Sequence, residues 1–466
     1  MNDMKKLLYI LFSIVILAGC EPKIDEFSPD PGAANFTTYV AIGNSLTAGF
    51  TDGALYTSGQ ENSYPNMLAE QFKLVGGGDF NQPYINTENG VGIVVTPGKG
   101  IYLVTKMILK LVPDKDCSGQ PIGTVSLKPE YIVPNPDQAT LAGQLSARPT
   151  DPGPYNNMGV PGMNVKELFI PGYGSPYGNP FFARFASGIY STVFQDAVAQ
   201  NPTFFSLWIG NNDVLTSALA GTDALITPVD TFALYYNIAV LGLVNATSAP
   251  KGVLANIPDV TSIPFFTTIS AQLPYDNVVL NAEQAAGLNF LYTMYGHPDI
   301  VWKEGKNPFV ITTTTGDWVQ MEPEDLFLLT LPTDSIKCRG MGIADPVLKR
   351  PYPIPGMFVL QKSEQTNIQN AILAFNQIIA NAAQTNGLAF ADMHTYMKSF
   401  AAGMVFDGIK MNTRFVSGGL FSTDGVHLCP RGYAVAANHF IDAINGQYAS
   451  KIPYVDITKY PGLKFP

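Results

Sequence analysis

At 466 residues and 46% hydrophobic side chains, the chain can bury a large core and is long for one simple domain. A formal net charge of −10, with no Lys/Arg cluster beyond the N-terminus, argues against nucleic acid as a partner, because phosphate binding needs a basic face. The 43 glycines and 36 prolines exceed ordinary usage and are spread along the chain, which predicts long shaped loops more than a disordered tail.

In chain order, Lys5 and Lys6 precede the apolar run "LLYILFSIVILA", and "LAGC" follows with Cys20. A basic start, a short apolar stretch and small residues before a cut describe a secretory signal over 1–19, too short to span a bilayer. The "LAGC" ending resembles the bacterial lipobox, which implies acylation of Cys20 and a lipid anchor at the cell envelope. The outer membrane is the expected site, on its periplasmic or surface face. Each buried CH₂ of such an anchor contributes roughly 0.8 kcal/mol. Residues 20–37, polar and carrying Pro22, Pro29 and Pro31, read as an extended tether.

The β-favouring run Tyr39 to Ile42 then ends in "GNSL", and residues able to start a helix follow. Such a sharp strand-to-helix turn would expose Ser45 at the end of a sheet. Asn62 to Lys73 puts Tyr64, Met67, Leu68 and Phe72 on one helical face. Residues 186–200 read as helix, "TFFSLWIG" as a buried strand, "TFALYYNIAVLGLVNAT" as helix and "KGVLANIPDV" as strand. Ile368, Ile372, Phe375 and Ile379 mark a long helix with Gly387 at its stop; "LAFADM" is a strand and "PRGYAVAANHFIDAI" a last helix. This alternation predicts a three-layer α/β/α domain over 38–447 with a mostly parallel, roughly five-stranded sheet. Residues 76–150, with "GIVV" and "GIYLVT", and 267–360, with a hairpin turning at Thr315-Gly316-Asp317, break the rhythm and read as insertions. Residues 448–466 form a C-terminal tail.

Ligands in open α/β sheets sit at the carboxyl ends of the strands. Four segments fall there: "GNSL" with Ser45, the glycine-rich "NMGVPGMNV" (157–165), "GNND" (210–213), and "TDGVHLCPRGY" with Asp424 and His427. Together and in this order they resemble the blocks of the SGNH hydrolases, the GDSL esterase/lipase family. "YPNMLAEQF" and "LANIPDVTSIPFF" look like the family too. The likeness covers about 38–75, 155–265 and 360–445 and leaves both insertions unexplained. It implies a catalytic Ser45, Asp424 and His427, with an oxyanion hole from the Ser45 N–H, the Gly162 N–H and the Asn212 side-chain amide. No cofactor or metal is implied.

The chemistry accounts for these residue types. A serine hydroxyl is a poor nucleophile until a base takes its proton, and an imidazole, whose ordinary pKa lies near 6.5, can take it and return it to the leaving alcohol. An aspartate three residues earlier can fix the ring's tautomer. The chain departs from the family at residue 44, where Asn stands for the usual Asp; Asn44 shapes the turn, and the change bears on the local hydrogen bonds. The resemblance implies Gly162 rather than Gly159 as donor, because the family's functional glycine is the later one in this turn, and a side chain there would crowd the acyl group. Asp213 is read as structural support. Asp392 and His394 mimic a dyad but lack the downstream context, and His439 reads as packing or solvent-facing. Among Cys117, Cys338 and Cys429, one disulfide and a free thiol are expected, with the pair left open. "FIPGYGSPYGNPFFARF" reads equally as a flap or as a loop burying its own aromatics. The expected substrate is a carboxylic ester, an acyl lipid or an O-acetylated glycan; the alternatives are a non-catalytic surface binder of glycan or lipid, and an O-acyltransferase.

Overall fold

The computed structural model describes residues 27–96 and 100–466; the signal segment and Cys20 lie outside them. Five parallel strands make the central sheet: β1 (Tyr39–Gly43), β2 (Asn157–Gly159), β3 (Phe204–Trp208), β4 (Lys251–Ala255) and β5 (Ala389–Ala391). Their spatial order is 2-1-3-4-5, the flavodoxin-like winding, and it reverses between β1 and β3. This is the α/β/α architecture read from the alternating pattern. Every residue of β1 and β3 is buried, as helices on both faces of a parallel sheet require.

Among the helices, six frame the sheet and the site: α1 (Ser45–Ala48), α2 (Tyr64–Lys73), α3 (Asn212–Leu219), α4 (Val229–Val244), α5 (Lys362–Thr385) and α6 (Pro430–Tyr448). One layer joins α2 to α6, where the Tyr64 and Phe440 rings stack at 4.8 Å. The other joins α4 to α5, where Phe232 and Phe375 stack at 4.0 Å. The α2 helix starts at Tyr64 rather than Asn62, since Pro65 fits a first helical turn. The helix expected over 186–200 shrinks to Val193–Val198, because Thr192 and Gln195 form a reciprocal capping box that sets a late start.

Two glycines set the site's backbone. A Cβ at Gly43 would lie 2.4 Å from the Trp208 carbonyl oxygen, and one at Gly159 would lie 2.2 Å from the Ala48 amide nitrogen. Strands β1, β2 and β3 and helix α1 can meet this closely only because both positions lack side chains.

The first insertion contains two antiparallel hairpins, Gly92–Thr96 with Gly100–Val104 and Met107–Lys115 with Pro121–Tyr131. The second holds the expected hairpin, Val310–Thr312 against Trp318–Gln320, and an apolar cluster of its own around Tyr292, Trp302, Phe309 and Ile311. A disulfide between Cys117 and Cys338, 221 residues apart, ties the two insertions together, and Cys429 is the buried free thiol. At the ends of the body, Ala33 N–H donates to the Tyr448 carbonyl at 2.8 Å, and Ile452, Val455 and Ile457 are buried in the main core. Among the described residues no helix is long and apolar enough to cross a membrane.

Candidate active site

The strand-to-helix turn after β1 is short because Asn44 caps α1: its side-chain carbonyl accepts the Leu46 N–H at 3.2 Å, and Gly49 ends the helix in left-handed conformation (φ 77°). The Asn44 amide nitrogen is buried without a partner among the described residues. Leaving such a group unpaired costs about 1–3 kcal/mol. Asn157 of β2 holds the far end of α1, donating to the Thr47 carbonyl at 2.9 Å.

Ser45 and His427, 382 positions apart, meet there: His427 Nε2 lies 2.9 Å from Ser45 Oγ, and His427 Nδ1 lies 2.7 Å from Asp424 Oδ2. The Phe50 ring packs on the imidazole with centroids 4.8 Å apart. Asp424 accepts hydrogen bonds on both oxygens. Oδ1 takes the Ser422 hydroxyl and the Val426 and His427 N–H groups, and Oδ2 takes the Gly53 N–H. Burial by itself would raise this carboxyl, but the His427 ring and these donors outweigh it and hold the pKa at about 2. Asp424 is therefore a fixed negative charge on one side of the ring, and Ser45 faces the other.

The loop carrying this pair is braced from both sides, a feature the motifs did not reveal. Asp52 sits in a left-handed backbone conformation (φ 54°). Its carboxylate accepts the Thr423 N–H and hydroxyl and the Tyr56 hydroxyl, and its own N–H donates to Ser422 Oγ. The first insertion joins at Met107, whose N–H donates to the Asp52 carbonyl at 2.8 Å. From the other side, Phe265 N–H donates to the Gly425 carbonyl at 3.0 Å, and Leu329 of the second insertion donates to the Phe265 carbonyl at 2.8 Å. In sequence, Asp52-Gly53 is an ordinary turn signal; nothing local says that it meets residues 422–424.

The second block closes as a β-turn over Val160-Pro161-Gly162-Met163, with a 3.2 Å bond from Met163 N–H to Val160 O. Pro at the second position and Gly162 at the third, with φ 83°, follow the type II pattern. A Cβ at Gly162 would meet only Asn179 Nδ2, at 4.0 Å, so among the protein's own atoms it is the left-handed backbone that favours glycine here. Gly159 N–H is already committed to Asn157 Oδ1 at 3.0 Å, which removes Gly159 as a donor. Asn212 opens α3, and its amide donates to the Met163 carbonyl at 3.0 Å, while Asp213 Oδ2 accepts the Val165 N–H at 3.0 Å. These two bonds lock the third block to the second. Burial pushes the Asp213 carboxyl up to about 7.

Ser45, Asn212 and His427 line one cavity of about 70 Å³ with Trp208, Leu215, Ile263, Met397 and Phe421. Gly162 is not among its lining residues, and neither insertion contributes one. Both insertions reach the Asp424–His427 loop, the first through Asp52 and the second through Phe265. The aromatic loop after the second block buries its own rings, Phe181, Phe182 and Phe185, and Asn179 anchors the turn by donating to the Pro161 carbonyl at 2.9 Å.

The remaining histidines lie elsewhere. Asp392 accepts from Asn256 and Thr395, and His394 Nδ1 faces the Ile257 carbonyl, so these two form no dyad. His439 stacks on Tyr396 at 4.0 Å, and His297 on Trp318 at 4.0 Å.

No family model and no curated protein matches the chain. Among solved structures it is similar to one described as a putative GDSL-like lipase from Parabacteroides merdae ATCC 43184, at 11% identity and a TM-score of 0.35, over 90% of this chain and 100% of that one.

Proposed function

We propose that this chain is a serine hydrolase of carboxylic esters that works through an acyl-enzyme without a cofactor. One observation supports the reading above all: the unbroken hydrogen-bonded line from Asp424 through His427 to Ser45, opening onto a cavity. Ser45 Oγ attacks the ester carbonyl carbon as its proton passes to His427 Nε2. Asp424 holds the ring's other nitrogen protonated and stabilises the imidazolium that forms. The oxyanion accepts from the Ser45 N–H and the Asn212 amide, on residues that line the cavity, with the Gly162 N–H carried over as third donor from the family resemblance alone. Collapse expels the alcohol, protonated by His427, and leaves the acyl group on Ser45. Water, deprotonated by the same imidazole, then releases the acid. The lipobox-like "LAGC" supports the further proposal that Cys20 is acylated and holds this body at a bacterial envelope membrane.

The reading is tested by labelling the full chain with a fluorophosphonate. Covalent attachment is expected at Ser45 and lost in Ser45→Ala; a chain that hydrolyses no ester and takes no label is a binder instead. Asn212→Ala is expected to lower kcat roughly 10²–10³-fold, with the melting temperature lowered only by the loss of its bond to the Met163 carbonyl, about 1 kcal/mol. A change in melting temperature alone would make Asn212 a structural residue.

A further inference from the structure

A second cavity adjoins the catalytic one. It has a volume of about 290 Å³ and is lined by Ala401, Ala402, Lys410, Asn412, Thr413 and Arg414; Thr413 also lines the cavity beside Ser45. Lys410 projects from the hairpin of Met404–Phe406 with Ile409–Met411, and Arg414 from the loop that follows. On a chain of net charge −10, these are two cations in one small hollow. Among the described residues neither forms an ion pair. Asp407, at the hairpin's turn, is not bonded to Lys410, and Asp259, in the catalytic cavity, has Oδ1 occupied by the Thr261 N–H and hydroxyl.

The loop is also built rather than slack. Arg414 N–H donates to Asn412 Oδ1 and Gly418 N–H to the Arg414 carbonyl, both at 2.9 Å. Val416 is held at φ 62°, a conformation that costs a β-branched residue energy and persists only where its surroundings impose it. Phe415 packs against Gly425, inside the Asp424–His427 segment, so the cations are tied to the loop that carries His427.

We propose that this cavity is an anion subsite, holding a carboxylate, sulfate or phosphate of the substrate while its ester lies at Ser45. The proposal rests on the hydrolase reading and narrows it to esters that carry a negative charge, such as acylated acidic sugars or glycerophosphoesters. Two exposed cations give a modest preference, screened by salt, and expressed in KM more than in kcat.

The test uses matched substrate pairs on the full chain: an O-acetylated glucuronoside with the corresponding neutral glucuronamide, and acetyl glycerophosphate with acetyl glycerol. The wild type is expected to favour the charged member of at least one pair by roughly fivefold in kcat/KM at low ionic strength, and the ratio should fall towards one in about 1 M salt. A preference confined to one pair identifies the anion. In Lys410→Ala/Arg414→Ala the ratio should be one, and in Lys410→Glu/Arg414→Glu it should invert. A wild-type ratio of one for both pairs, or a ratio that survives the double substitutions, overturns the subsite. If p-nitrophenyl acetate is not cleaved at all, the hydrolase reading fails separately. The subsite is then judged by calorimetric binding of the acetylated glucuronoside, which the alanine pair must abolish if the proposal is right.

Discussion

Replacing Ser45 with alanine is expected to lower turnover of p-nitrophenyl acetate by at least about 10⁴-fold while the fold survives. Among the described residues the Ser45 hydroxyl bonds only His427 Nε2, and it lies in a cavity rather than in the packed core. Removing it forfeits one hydrogen bond, about 1 kcal/mol, and leaves His427 held by Asp424 and Phe50. Chemistry, by contrast, loses the atom that bonds to the acyl carbon. What remains is water attack assisted by the oxyanion donors, which can still exceed the uncatalysed rate. Steady-state kinetics and a thermal melt on the same preparation separate the two effects. Turnover close to wild type would remove Ser45 from the mechanism, and with it the hydrolase reading.

Asp424→Asn is expected to cost a comparable factor, about 10⁴ in kcat, for a different reason. If the new amide keeps its oxygen where Oδ1 accepts the Ser422, Val426 and His427 donors, its nitrogen replaces Oδ2. That nitrogen then faces two hydrogen donors, the Gly53 N–H and His427 Nδ1. The ring can relieve the second clash only by moving its proton to Nε2, where it no longer accepts from Ser45. The Gly53 N–H stays unpaired at a cost of about 1–3 kcal/mol, so a lower melting temperature should accompany the loss of activity. Asp424 also bears on acid stability. Its folded pKa, about 2, is below the ordinary carboxylate value, so the stability it contributes is present above that ordinary value and is lost as pH falls through about 2. The asparagine variant should lack this component of acid unfolding. A kcat within tenfold of wild type would mean that Asp424 does not set the tautomer.

The bracing of the Asp424–His427 loop gives the insertions a physical purpose. Met107 reaches it through Asp52, Leu329 through Phe265, and the Cys117–Cys338 bond closes the two arms on each other. The cavity at Ser45 takes its walls from the parallel domain, and the neighbouring cationic hollow from the segment before the last block.

The amino-acid sequence by itself determined the alternation of strand and helix, four of the five core strands, and the short blocks that carry Ser45, Asn212, Asp424 and His427, while β2 reads as a turn. These are local matters: apolar periodicity, glycine at turns, and short motifs whose spacing is read along the chain. The type II turn at Pro161-Gly162 is equally local. Only the tertiary structure decided that Ser45 meets His427 across 382 positions, that Cys117 pairs with Cys338, and that Asp52 supports Asp424. It also joined both insertions to the catalytic loop, through Met107 and Leu329. The reason is the same in each case. Side-chain chemistry is written locally, but which distant groups share a hydrogen bond depends on how a twisted parallel sheet returns the chain to its own switch point.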